Sequence, residues 1–172
     1  MAEPIRTVAV LVANPALSSI LSMTLAGAPS LRVRPFDSQL ALTTYLRLAP
    51  VDLIVADFDS EAARADRLAQ QLHADSKLER QDFQVIALAS SLDIETKAAS
   101  MHAGIDEIIM KPMSPKYLVE RVLARLARRM PSVRPVRSAA PLRQAVRPTA
   151  EGWARFGDNV VPLFGRSPEA LH

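Results

Sequence analysis

The chain has no cysteine, and its only histidines, His73, His102 and His172, stand far apart. Disulfides and thiolate metal sites are therefore excluded, and no histidine cluster is available for an ion. Aromatic residues are scarce, with a single tryptophan, Trp153, in 172 residues. No stretch approaches the roughly 20 apolar residues that a membrane span needs. The opening MAEPIRTVAV has an early acidic residue and a short apolar run, so it lacks the basic-then-apolar pattern of a secretory signal. A soluble, cytoplasmic protein is expected. One more absence is local. Residues 131–172 contain no lysine, although they carry six arginines and six prolines.

That local bias carries information, because the two cations recognise different things. Arginine presents a planar fork that matches paired acceptors and stacks on flat rings, whereas lysine is a mobile point charge. Residues 1–130 hold 15 basic and 15 acidic side chains, so the whole excess of +3 comes from the segment after them. An anionic partner is expected for that segment rather than for the body.

The body alternates strand and helix patterns. Short, nearly continuous apolar runs at 7–12 (TVAVLV), 51–56 (VDLIVA), 83–89 (FQVIALA) and 106–110 (DEIIM) read as strands, and 31–36 (LRVRPF) alternates as an edge strand would. Between them, 16–26, 39–48, 62–74, 94–103 and 115–129 have helical spacing, with Gly27, Pro50 and Gly104 as stops. Five such units predict an α/β fold: a five-stranded, doubly wound parallel sheet of flavodoxin-like type, spanning about residues 5–129. Residues 130–172 form a Pro/Arg-rich extension. A sheet of this kind places its chemistry at the carboxyl ends of the strands, where Asp57 and Lys111 fall.

VDLIVAD, ending at Asp57, and MHAGIDEIIMKP, ending at Lys111-Pro112, resemble a response-regulator receiver domain of the CheY-like family, with Ala103-Gly104 at the family's spacing. The resemblance implies that Asp57 accepts a phosphoryl group, that Lys111 contacts it, and that the Lys111-Pro112 bond is cis. The departures are large. Val12 and Ala13 stand where the family has two acidic metal ligands, and Mg²⁺ would be held poorly by one carboxylate alone. Ala89 stands at the usual hydroxyl position, with Ser90 one place on. Ile108 replaces the switch aromatic, and Phe58-Asp59-Ser60 replaces the usual loop. The expectation is that Asp57 and Lys111 neutralise each other. The rival is a phosphorylation-controlled regulator acting through Asp57, with Asp59 or Glu61 assisting a metal. Lys97, Lys116, Arg121 and Arg125 read as an ordinary solvated face.

Prolines at 131, 135, 141, 148, 162 and 168 rule out a sustained helix in the extension. Its arginines are spaced rather than clustered, so each can address a separate group. Arg134, Arg137, Arg143 and Arg147 can donate paired bonds to guanine O6 and N7, Trp153 can stack on an exposed base, and Asp158 can accept from guanine N1–H and N2–H. GDNVVPLF (157–164) joins a turn signal to an apolar run that suits docking on the body or addition as an edge strand. Together with the body, RPVRSAAPLRQAVRPTAEGWARFGDNVVPLF resembles the Cle proteins, CheY-like effectors with an arginine-rich C-terminal extension. That resemblance implies a cyclic-di-GMP ligand and docking on the flagellar motor switch or a related surface machine. It implies binding and no catalysis. The low net charge and single aromatic cluster argue against DNA or RNA as partner.

Overall fold

A computed structural model of the chain describes residues 4–61 and 63–128, together with the backbone of 160–162. The predicted alternation is present. β1 (Arg6–Leu11) leads to α1 (Pro15–Ala26), β2 (Leu31–Phe36) to α2 (Gln39–Leu48), and β3 (Leu53–Asp57) to α3 (Ala65–Ala74). β4 (Gln84–Ala89) leads to α4 (Ile94–Ala103), and β5 (Glu107–Met110) to α5 (Pro115–Arg128). Helices α1, α2 and α4 begin where side chains satisfy free amides. Asn14 accepts from the Ala16 and Leu17 amides, Ser38 from Ala41, and Asp93 from Thr96. α4 ends at Gly104, which adopts a left-handed φ of +78°. A Cβ there would sit 3.0 Å from His73 Nε2 as well, so only glycine fits.

The sheet order is β2-β1-β3-β4-β5-β6, where β6 is Val160–Pro162. The first five strands are parallel and β6 lies antiparallel on β5, with Ile108 opposite Val161. The five-stranded parallel sheet expected from sequence thus gains one short strand, supplied by the apolar run after the turn signal. Successive residues of the central strands face opposite helix layers. Ile54 and Ala56 pack with Leu42, Leu46, Leu68 and Leu72 under α2 and α3. Leu53 and Val55 pack with Leu21, Leu25, Leu118 and Val122 under α1 and α5. Each such buried aliphatic side chain contributes about 1.5–3 kcal/mol, which makes the two-faced burial the main source of stability.

Two boundaries differ from expectation. The third strand begins at Leu53 rather than Val51, and Asp52 just before it accepts the Thr7 amide through its carboxylate at 2.9 Å. The third helix begins at Ala65 rather than at residue 62. Arg64 is held extended just before it, its guanidinium bonded twice to Asp66 at 2.8 Å and lying 4.8 Å from the Phe58 ring centre.

Candidate functional site at the mouth of the sheet

β3, β4 and β5 lie side by side, so their carboxyl ends converge. β3 ends on Asp57, Ser90 follows β4, and Lys111 follows β5. The backbone ladder continues beyond the strands: the Phe58 amide donates to the Leu88 carbonyl at 2.7 Å, and the Lys111 amide to the Ala89 carbonyl at 2.8 Å. The Lys111-Pro112 bond is cis. Residues 54 positions apart in sequence therefore meet: Lys111 Nζ lies 3.0 Å from Asp57 Oδ1.

The expected ion pair of Asp57 and Lys111 is present, and it belongs to a larger cluster. Lys111 Nζ also lies 2.7 Å from Asp59 Oδ2, and so bridges two carboxylates. Ser90 donates to the same Asp59 oxygen through its amide at 2.9 Å and its hydroxyl at 2.6 Å. The Asp59 amide donates to Asp57 Oδ1 at 3.0 Å, closing the turn. Burial raises the Asp59 carboxyl, but the bonds from Lys111 and Ser90 outweigh it and hold the group below the usual carboxylate range. Burial lowers Lys111, and its bonds to Asp59 and Asp57 reverse that and raise it. Asp57 itself is buried at the base of the cluster.

These residues do not fit a magnesium ion. Val12 is buried where an acidic ligand would be needed, and Ala13 follows it. Among the described residues, no group of three acidic, histidine or cysteine side chains could hold a metal. Asp59, considered from sequence as a helper for a metal, is instead occupied by Lys111 and Ser90. A cleft of about 590 Å³ opens at the carboxyl ends of β1 and β2, over Val12, Ala13, Pro35, Phe36 and Asp37. Ile108 and Ala89 are fully buried, so neither position offers a movable group to the surface.

No family model matches the chain. It is 30% identical over 115 residues to the DNA-binding response regulator MtrA of Mycolicibacterium smegmatis, covering 67% of this chain and 48% of that protein. MtrA of Mycobacterium tuberculosis (H37Rv) is 34% identical over 92 residues, covering 54% and 38% respectively. The chain thus spans about half, or less, of the curated relatives it matches. A CheY-like receiver domain protein of Methanospirillum hungatei superposes with a TM-score of 0.64 at 18% identity, covering 72% of this chain and 95% of that one. The response regulator DrrB of Thermotoga maritima superposes with a TM-score of 0.62 at 21% identity, covering 72% of this chain and 54% of that one. The body has the CheY-like receiver fold.

On this fold, the surface read as simply solvated is partly committed. Glu107, fully buried at the start of β5, is bonded by Arg121 Nε at 2.6 Å and Nη2 at 3.1 Å, and by Arg125 Nε. Arg125 also bonds the Asp106 carbonyl. A buried carboxylate requires such partners, which explains why Arg121 and Arg125 recur at helical spacing on α5. The sequence signal was an acidic residue opening an apolar strand. For Asp59, the signal was its place two residues after Asp57, beside a serine that follows β4. The six residues expected to bind a dinucleotide, Arg134, Arg137, Arg143, Arg147, Trp153 and Asp158, lie outside the described residues. Among the described residues, no helix is long and apolar enough to cross a membrane.

Proposed function

We propose that this chain is a receiver-fold adaptor whose input is a dinucleotide rather than phosphorylation. Its arginine-rich segment would bind cyclic-di-GMP through Arg134, Arg137, Arg143, Arg147, Trp153 and Asp158. The observation that carries the reading is the closed cluster at the sheet mouth: Lys111 is shared by Asp57 and Asp59, and Val12 and Ala13 offer no metal ligand. The spaced arginines and the lone tryptophan are groups suited to a charged messenger. Strand β6 supports the reading too. It returns the chain to the edge of β5, so residues 129–159 are bracketed by α5 and β6. Ligand capture between those two anchors would alter the β5–α5 surface, and through it the docking of a partner such as the flagellar motor switch. The role is binding and docking, without catalysis and without nucleic acid.

Calorimetry of the full chain with cyclic-di-GMP tests this. Saturable binding at micromolar ligand, strongly weakened in Arg143→Ala and Trp153→Ala, is the expected result. Absence of heat at those concentrations overturns the reading.

One observation favours a second reading, phosphorylation control. Asp57 and Lys111 keep their places, 3.0 Å apart, beside a cis Lys111-Pro112 bond. Incubation with acetyl phosphate and Mg²⁺ would then add a phosphoryl group to Asp57, and an unchanged intact mass rejects it.

A further inference from the structure

The cleft of about 590 Å³ lies between the first turns of α1 and α2, and its size falls within the roughly 300–1,000 Å³ of small-molecule sites. Its walls are apolar: Val12 and Ala13 follow β1, Pro15 opens α1, and Pro35 and Phe36 end β2. The Phe36 ring packs on Tyr45, with ring centres 5.4 Å apart. Three polar side chains line the same space, the hydroxyls of Ser18 and Ser19 and the carboxylate of Asp37. Among the described residues, none of these three side chains makes a hydrogen bond or an ion pair, so the fold does not use them. One turn after Ser18 on α1, the Ser22 hydroxyl is buried and also lacks a partner among the described residues. Asp37 lines a second cleft of about 260 Å³ that shares Val12 and Ala13, so it stands where the two meet. Among the described residues, no lysine or arginine lines either cleft.

Charge decides what such a space can take. A lone carboxylate with no cation beside it repels a phosphate and favours N–H donors. Its two oxygens can accept a pair of parallel N–H bonds, and apolar walls suit a flat ring. Guanine carries N1–H and N2–H side by side and offers that pair, whereas adenine does not. We propose that the cleft between α1 and α2 binds a guanine ring, with Asp37 accepting from N1–H and N2–H and Ser18 and Ser19 donating to the ring's acceptors. Val12 and Ala13 make this possible, because acidic side chains there would charge the floor. The inference rests on the dinucleotide reading for the source of the ring: one guanine enters the cleft while the phosphates stay with the arginines. It adds a site on the body, built from none of residues 130–172.

Guanosine, which carries no phosphate, is the probe. The full chain is titrated with it while the amides of Ser18, Ser19 and Asp37 are followed by nitrogen-15 NMR. Saturable shifts of these amides at millimolar guanosine are expected. Adenosine should bind at least about tenfold more weakly, the discrimination that one paired contact provides. Asp37→Asn keeps the size but exchanges one acceptor for a donor, and it should lose guanosine binding to the same degree. Asp37 is exposed and makes no contact that folding needs, so this variant is expected to fold. Stationary amides, an equal response to adenosine, or a wild-type response in Asp37→Asn each overturn the proposal. Calorimetry with cyclic-di-GMP separates this failure from that of the dinucleotide reading. No heat with cyclic-di-GMP, beside guanosine shifts at the cleft, overturns the dinucleotide reading and keeps the guanine site. Equal heat in wild type and Asp37→Asn, beside amides that guanosine leaves unmoved, overturns the guanine site and keeps that reading.

Discussion

Asp59 and Glu107 show how single acidic residues are used differently. Asp59 is partly exposed and holds its charge through Lys111 and Ser90, which sets a pH dependence. Its folded-state value lies below the ordinary 3.8, so its contribution to stability is complete above about pH 4. That contribution is lost as pH falls through the lowered value. Asp66 is lowered in the same sense: burial raises it, and Arg64 more than reverses the effect. Urea unfolding is therefore expected to give constant stability from about pH 5 to 8 and a decline below about pH 4, less steep in Asp59→Asn. Glu107 has no exposure at all and faces two guanidinium groups. Glu107→Ala would leave both arginines beside an apolar strand, and a loss of about 3–5 kcal/mol in urea unfolding is expected. Gly104→Ala forces a left-handed residue against His73, with an expected cost of about 1–2 kcal/mol in the same measurement.

At the scale of elements, the parallel strands were legible because burial on both faces writes a continuous apolar run into the sequence. β3 (LIVAD) and β4 (QVIALA) are such runs, and the structure buries nearly every residue of each. Edge strand β2 was legible for the opposite reason, since Arg32, Arg34 and Pro35 remain exposed there. The start of α3 was not legible, because alanine-rich spacing runs back past Arg64, which lies outside the helix and is bonded to Asp66. Helix α5 looked evenly solvated on its basic side, yet Arg121 and Arg125 turn inward to Glu107. β6 covers the β5 edge with only three residues. Removal of residues 129–172 would uncover unpaired backbone along β5, so concentration-dependent self-association of the shortened chain is expected in sedimentation velocity. A shortened chain that stays monomeric at every concentration would show that β6 does not protect this edge.

For the whole molecule, the two core layers are, among the described residues, built from the helices and strands of the body. The chain shortened to residue 128 is accordingly expected to keep its cooperative unfolding transition while losing cyclic-di-GMP binding, as read by circular dichroism and calorimetry together. The sequence alone determined the α/β class, the order of its elements and the balanced charge of the body. Those properties follow from local periodicity and composition, which need no knowledge of distant neighbours. It also located Asp57 and Lys111 at strand ends. Only the tertiary structure decided what these residues touch. The order β3-β4-β5 sets three strand ends side by side, and only then does one ammonium reach two carboxylates while a serine closes on the second. Contacts between groups dozens of residues apart depend on sheet order and on side-chain reach, and neither is encoded in the spacing along the chain.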